Sequence, residues 1–241
     1  MSTDVLAGPV PATDHVTVAV STVIFALRPH PTTGVSTLWL PLVRRIREPY
    51  EGQWALPGGP LESDEDLVTS ARRTLERTTG LDPRHLEQLY SFGAVDRSRA
   101  GDEQQCRDRV VSIVYWALVR AEEAERAVNG QNVRWFVADE VPELAFDHNA
   151  IVRYALARLR SKITYSPIAH AFLDDEFTLA QLRAVHEGVL LRPLDPANFR
   201  RQVLASSSVE PTGQFLTGTS HRPPALYRSL SRPTHQPEEQ A

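Results

Sequence analysis

Asn198, Arg200 and Arg201 stand together in the run DPANFRRQVL, and their types and spacing suit contact with nucleic-acid bases. On a helix opening at Pro196, Phe199 and Val203 fall within about 40° of one another. Asn198 and Arg201 then project from roughly the opposite side, with Arg200 flanking them. An asparagine amide pairs bidentately with adenine and a guanidinium with guanine, each contributing about 1–3 kcal/mol of discrimination in a major groove. The competing reading of the same side chains is a solvated face that docks another protein.

These residues need a scaffold, and the pattern around them supplies one. Asp195-Pro196 is the N-cap and first-turn signature of a helix. Before it, Thr178 caps another helix whose Leu179, Leu182, Val185 and Val189 share one face. After it, Gln214 to Gly218 and Ala225 to Leu230 read as weak strands around a polar tip holding Thr217, Thr219, His221 and Arg222. Helix, short turn, helix and hairpin is the order of a winged helix-turn-helix, with Arg222 in the wing as a further candidate DNA contact. Residues 192–228 carry five arginines against Asp195 and Glu210, whereas 164–241 as a whole hold seven arginines and eight acids. A local basic face on a near-neutral domain fits a sequence-specific dimer better than a nonspecific coat.

The chain of 241 residues has room for this unit and a larger one before it. Its net charge of −4, with 41% hydrophobic and 23% charged residues, is that of an ordinary folded protein. No apolar run reaches the roughly 20 residues needed to span a bilayer, and Met1 to Asp14 lacks the pattern of a secretory signal. One cysteine, Cys106, excludes an internal disulfide framework and a cysteine zinc cluster. A cytoplasmic protein with no membrane partner is expected. Lys162 is the only lysine, and the other 25 basic residues are arginines, a bias that a GC-rich genome explains better than function does.

Between Val16 and Lys162, strand-like and helix-like blocks alternate. Strands are predicted at Val16 to Leu27, Ser36 to Val43, Trp54 to Leu56, Leu86 to Ala94, Arg109 to Val119 and Val133 to Val137. Helices are predicted at Asp64 to Thr79, with Ser63 as N-cap and Gly80 past its end, and at His148 to Lys162. An α/β sandwich follows. The expected divisions are a disordered arm at 1–13, a first domain at 14–162, the winged helix-turn-helix at 163–231 and a disordered tail at 232–241.

Within the first domain, the residues from Gly59 read G-PLESD-E-DLVTSAR-R-T-L-E-R-T-T-G-L. Gly59, Glu65, Arg73, Leu75, Gly80 and Leu81 keep the spacing of a Nudix box, and Trp54-Ala55-Leu56-Pro57-Gly58-Gly59 is similar to the usual entry to it. The resemblance implies that Glu65 and Arg73 tie the loop to the helix. It also places Thr74, Arg77 and Thr78 where Nudix hydrolases carry metal-binding glutamates. Positions i, i+3 and i+4 share a helix face, but two hydroxyls and a guanidinium give magnesium no carboxylate. No catalytic residue, metal or cofactor is therefore assigned. The alternative is a nucleoside diphosphate (ADP-ribose) hydrolase with a rebuilt metal site.

A pocket can outlast its metal. Backbone N–H groups at Gly58 and Gly59, with Arg44, Arg45 and Trp54, are candidates for holding a nucleotide diphosphate. Adjacent strand arginines face opposite ways, so one of the two must point away from the site, and Trp54 is equally readable as core.

The degenerate box joined to FTLAQLRAVHEGVLLRPLDPANFRRQVL, approached by KITYSPIAHAFLDDEFTL and closed by RPPALYRSL, resembles the Nudix-related transcriptional regulator family (NrtR). The resemblance covers about residues 15–230. It implies a homodimeric bacterial repressor of NAD metabolism genes on a palindromic operator, contacted by Asn198, Arg200, Arg201 and Arg222. It also implies a Nudix pocket that senses ADP-ribose or a related nucleotide. The helix ending at Lys162 leads into the DNA-binding unit and is the natural lever between the two.

Overall fold

The computed structural model describes residues 16–81, 83, 85–95, 97, 109–127, 132–217 and 223–230. The expected arm and tail, Cys106, and the wing-tip residues Thr219, His221 and Arg222 lie outside them. Seven strands form one mixed sheet: β1 (Val16–Pro29), β2 (Ser36–Arg44), β3 (Trp54–Ala55), β4 (Gly58–Pro60), β5 (His85–Phe92), β6 (Arg109–Val119) and β7 (Val133–Val137). The main order is β3-β2-β1-β6-β5, with β7 on β2. Strand β1 runs parallel to β6 from Val16↔Arg109 to Ala26↔Val119. Its other edge pairs first with β4 and then with β2, both antiparallel.

The two faces of β1 carry different cores because successive side chains alternate. Val23, Phe25 and Leu27 pack with Val114, Trp116 and Leu118 beneath α3 (His148–Lys162), which contributes Ile151, Val152, Ala155, Leu156 and Leu159. Val20, Ile24 and Ala26 pack on the opposite side with Ala71 and Leu75 of α1 (Leu67–Thr79) and Ala124 of the short α2 (Ala121–Arg126). This is the sandwich that the alternating blocks predict.

Helix α1 starts three residues later than expected. Asp66, not Ser63, is its N-cap, its Oδ1 accepting the Thr69 N–H at 2.7 Å. Glu65 is held outside the helix because its carboxylate engages Arg73 and the Glu62 N–H. Gly80 ends the helix at φ 69°, in the left-handed region that glycine accepts without strain.

The C-terminal unit consists of a 3-10 turn (Pro167–Phe172), α4 (Leu179–Leu190), α5 (Pro196–Ala205) and the hairpin β8 (Val209–Phe215) and β9 (Ala225–Ser229). Thr178 and Gln181 cap α4 reciprocally, and Asp195 caps α5 through the Asn198 N–H. Strand β8 begins five residues before the expected Gln214, as Val209 is buried against the same core. Phe177 and Tyr227 exchange both backbone hydrogen bonds and lock the hairpin to the helices.

The two units do not hang on a free tether. One continuous core runs from Val23 and Trp116 through Leu159, Ile163 and Phe172 to Leu182, Val189, Phe199 and Tyr227. Helix α4 lies against β2, where a Cβ on Gly188 would stand 2.9 Å from both the Ser36 carbonyl oxygen and Leu27 Cδ2. Arg120, at the end of β6, reaches Asp174 and Asp175 at 3.0 Å each.

Candidate functional site

A cavity of about 240 Å³ opens on the α3 face of the sheet. Its floor carries three hydroxyls among apolar residues: Thr17, Ala19 and Ser21 of β1 lie beside Val110 and Ser112 of β6, and Ser21 and Ser112 share a hydrogen bond at 3.3 Å. Gly58 and Gly59 form one wall. They pair with Ser21 and Val20 as strand β4 instead of standing as a free loop. Gly58 must be glycine, because a Cβ there would meet the Val20 carbonyl oxygen at 2.8 Å.

Two guanidiniums reach this cavity. Arg45 lines it with its Cζ 4.6 Å from the centre of the Phe146 ring, and its Nε donates to the Pro49 carbonyl at 2.7 Å. Burial draws its pKa below the usual guanidinium value, partly opposed by the charge of Glu48. Arg97, with only 5% of its side chain exposed, is clamped by Asp147 through two bonds of 2.9 and 2.7 Å. Asp147 is the N-cap residue of α3, and His148 opens the helix. The His148 Nδ1 accepts the Leu56 N–H at 3.0 Å. Burial pushes His148 down to about 4, so it is neutral at physiological pH. No carboxylate lines the cavity among the described residues. Arginine forks, a few hydroxyls and an aromatic ring in a mostly apolar cavity suit an anionic ligand with a flat ring.

Of the five pocket candidates in the sequence, the structure brings Arg45, Gly58 and Gly59 to the cavity. Arg44, the neighbour of Arg45, is exposed and its Nε donates to the Gly52 carbonyl at 3.1 Å. Alternation along the chain sends these two arginines to opposite sides. Trp54 packs edge-on against Phe136 at 5.2 Å and is absent from the lining. Arg97, Phe146 and His148 escaped the sequence reading because they come from loop and helix-start positions. A readable signal was present in Thr17 and Ser21, four apart on one face of β1, and in Ser112 within the apolar run of β6.

The box helix lies on the other side of the sheet. Glu65 receives Arg73 through Nε at 2.8 Å and Nη2 at 2.6 Å, and this pairing holds its carboxyl at about 2. Thr74 is 2% exposed and packed inward, Thr78 is half-buried and Arg77 is exposed. Among the described residues no group of three His, Cys, Asp or Glu side chains is placed to hold a metal ion.

On α5, Phe199 is buried and meets the His186 ring edge-on at 5.1 Å, while Asn198, Arg200 and Arg201 are exposed. The Arg201 Nη2 donates to the Asn198 Oδ1 at 2.6 Å, so the amide and guanidinium stand as one unit.

Comparison with known proteins covers both units. Residues 20–159 match the NUDIX domain family and residues 169–229 the NrtR DNA-binding winged helix domain. The chain is 32% identical over 192 residues to the ADPR responsive transcriptional repressor NtrR of Acinetobacter baylyi, spanning 78% of this chain and 74% of that one. It is 30% identical over 112 residues to an ADP-ribose pyrophosphatase of Methanocaldococcus jannaschii, covering 46% of this chain and 62% of that one. The crystal structure of Shewanella oneidensis NrtR complexed with a 27mer DNA superimposes with a TM-score of 0.71 at 30% identity. That match covers 88% of this chain and 93% of the other.

Proposed function

Because the chain belongs to the NrtR family, a Nudix domain followed by an NrtR winged helix, we propose that it is an ADP-ribose-responsive transcriptional repressor. The observation that carries the reading is the outer face of α5, where Asn198, Arg200 and Arg201 stand exposed above a buried Phe199. Arg201 reads guanine through its fork and Asn198 supports it, while Arg200 takes the phosphate backbone. Arg222 is assigned to the wing on the sequence alone. Two copies bind a palindromic operator upstream of NAD metabolism genes, since a two-fold dimer matches two half-sites.

The cavity holding Arg45 and Arg97 is the effector site. Gly58 and Gly59 shape its wall, and the two guanidiniums meet the diphosphate. Hydrolysis is not part of this reading: Thr74, Arg77 and Thr78 supply no carboxylate for a metal. The likeness to an ADP-ribose pyrophosphatase is assigned to the shared fold and ligand. A ligand switches the protein only if it binds the DNA-incompetent arrangement more tightly than the competent one.

Fluorescence anisotropy on a palindromic operator from upstream of NAD-biosynthesis genes, against a scrambled duplex and with and without ADP-ribose, tests this function. Tight selective binding that ADP-ribose weakens is expected. Absence of selectivity removes the repressor, and turnover of ADP-ribose with magnesium or manganese puts the hydrolase in its place.

A further inference from the structure

The geometry points to Arg160 as the positioning residue through which the effector cavity sets the pose of the DNA-reading helix. This inference rests on the repressor reading above. Arg160 lies in the last turn of α3, and its guanidinium spans three elements. Nη2 donates to both oxygens of Asp139, at 2.9 and 2.7 Å, in the turn after β7. Nε donates at 2.9 Å to the main-chain carbonyl of Val189 in α4.

That carbonyl belongs to the end of α4, where the last turn has no acceptor-satisfying amides of its own. Helix α4 has no basic residue in its last turn, and it stops at Leu191, a non-glycine residue at φ 53°. Arg160 therefore supplies from another helix the donor and the positive charge that the end of α4 lacks. The segment beyond, 191–195, is the short turn into α5. Whatever fixes the end of α4 fixes the direction in which Asn198 and Arg201 point.

The opposite end of α3 touches the cavity. His148 lines it, and Asp147 clamps Arg97, which also lines it. Arg160 lies twelve positions along the helix from His148, about 18 Å at 1.5 Å per residue. A packed helix moves as a rod, so a ligand that draws on Arg97 shifts the Arg160 end against Asp139 and Val189. Lys162, two residues further on, does not reach α4 in this way. Its Nζ binds both oxygens of Glu87 at 2.8 and 2.7 Å and sits 5.4 Å from the centre of the Trp116 ring. It anchors the rod to the sheet, and Arg160 carries the motion across.

The test uses the full-length protein and three variants: Arg160→Met, which keeps the stem and removes every donor, Arg160→Lys, and Asp139→Asn. For each, operator Kd is measured with and without saturating ADP-ribose, and ADP-ribose affinity is measured by calorimetry. In the wild type the ratio of the two operator constants is expected in the range typical of coupled sites, roughly 5–150-fold. In Arg160→Met the ratio collapses toward one while ADP-ribose affinity is retained, and the other two variants fall between. If Arg160→Met does not fold, Arg160→Lys and Asp139→Asn decide the matter. A ratio kept at the wild-type value, even with both constants weakened alike, means Arg160 is merely structural and overturns the proposal. A wild type that shows no effect of ADP-ribose fails before any variant is compared, and then it is ADP-ribose as effector that falls from the reading above, with this inference.

Discussion

At the level of single side chains, the chemistry divides between groups that meet ligands and groups held from water. Arg201 is proposed for the first set, and Arg201→Ala is expected to cost about 1–3 kcal/mol of operator binding, roughly 5–150-fold in Kd. Titration on a panel of operator variants checks this: discrimination at one guanine position should relax, while affinity for scrambled duplex changes little. Arg201→Lys restores the charge but not the fork, so selectivity stays low. Three histidines belong to the second set. His148, beside Asp147, Arg97 and Arg45, His170, bonded to Ser229, and His186, against Phe199 and near His170, are each pushed down to about 4, by burial first. A lowered histidine favours the folded state while neutral, so its stabilisation is complete above pH 6.5 and is lost as pH falls toward 4. Each contributes a slope of up to about 1.4 kcal/mol per pH unit in that window. Urea unfolding at pH 7 and pH 5 should show the loss, and His186→Gln should flatten the dependence. An equal midpoint at the two pH values contradicts it.

At the level of elements, α4 is fixed as much by what it lacks as by what it buries. Gly188 sits in the last turn of the helix, where exchange for alanine ordinarily stabilises by up to about 1 kcal/mol. Here the new Cβ meets the Ser36 main-chain oxygen at 2.9 Å, which cannot rotate away. Gly188→Ala is therefore expected to destabilise by about 1–3 kcal/mol through overpacking, read as a lower urea midpoint; a raised midpoint would show that α4 does not lie against β2. The periodicity that predicts α3, α4 and α5 is legible because each buries one regular face, and β6 is legible as an apolar run buried on both faces; the structure returns α3 and β6 with the expected ends. The short α2 is not legible, since six residues give too little period and its cap rests on Glu123 reaching the Arg120 N–H. Half of the cavity was hidden for a different reason. Arg97 and Phe146 are far from Gly58 in sequence, and only the folding of β1, β6 and α3 brings them together. Arg45 was legible as one of an adjacent pair, but alternation alone does not say which of the two faces inward.

For the whole molecule, the shared core decides whether two domains behave as one. Ile163, Phe172 and Leu182 bridge a Nudix sheet and a winged helix without a break. A linked core of this kind unfolds as a single cooperative unit, in contrast to domains joined by a polar tether. The distribution of tryptophan makes the point measurable. Trp39, Trp54, Trp116 and Trp135 all precede α3, so their fluorescence reports chiefly on the Nudix unit. Phe199→Ala, in α5 and far along the chain from every tryptophan, removes a buried ring at an expected cost of about 3–5 kcal/mol. Urea curves followed by fluorescence and by far-ultraviolet circular dichroism should coincide in the wild type and shift together in the variant. A tryptophan curve that stays in place while the helical signal moves would mean that the winged helix unfolds by itself. A ligand in the cavity would then have no packed path to α5, because energy spent deforming the Nudix unit would be absorbed at a joint that opens freely. Coincident shifts mean that strain at one site is borne by the whole core, which is the condition a small nucleotide needs to move a helix on the far side of the molecule.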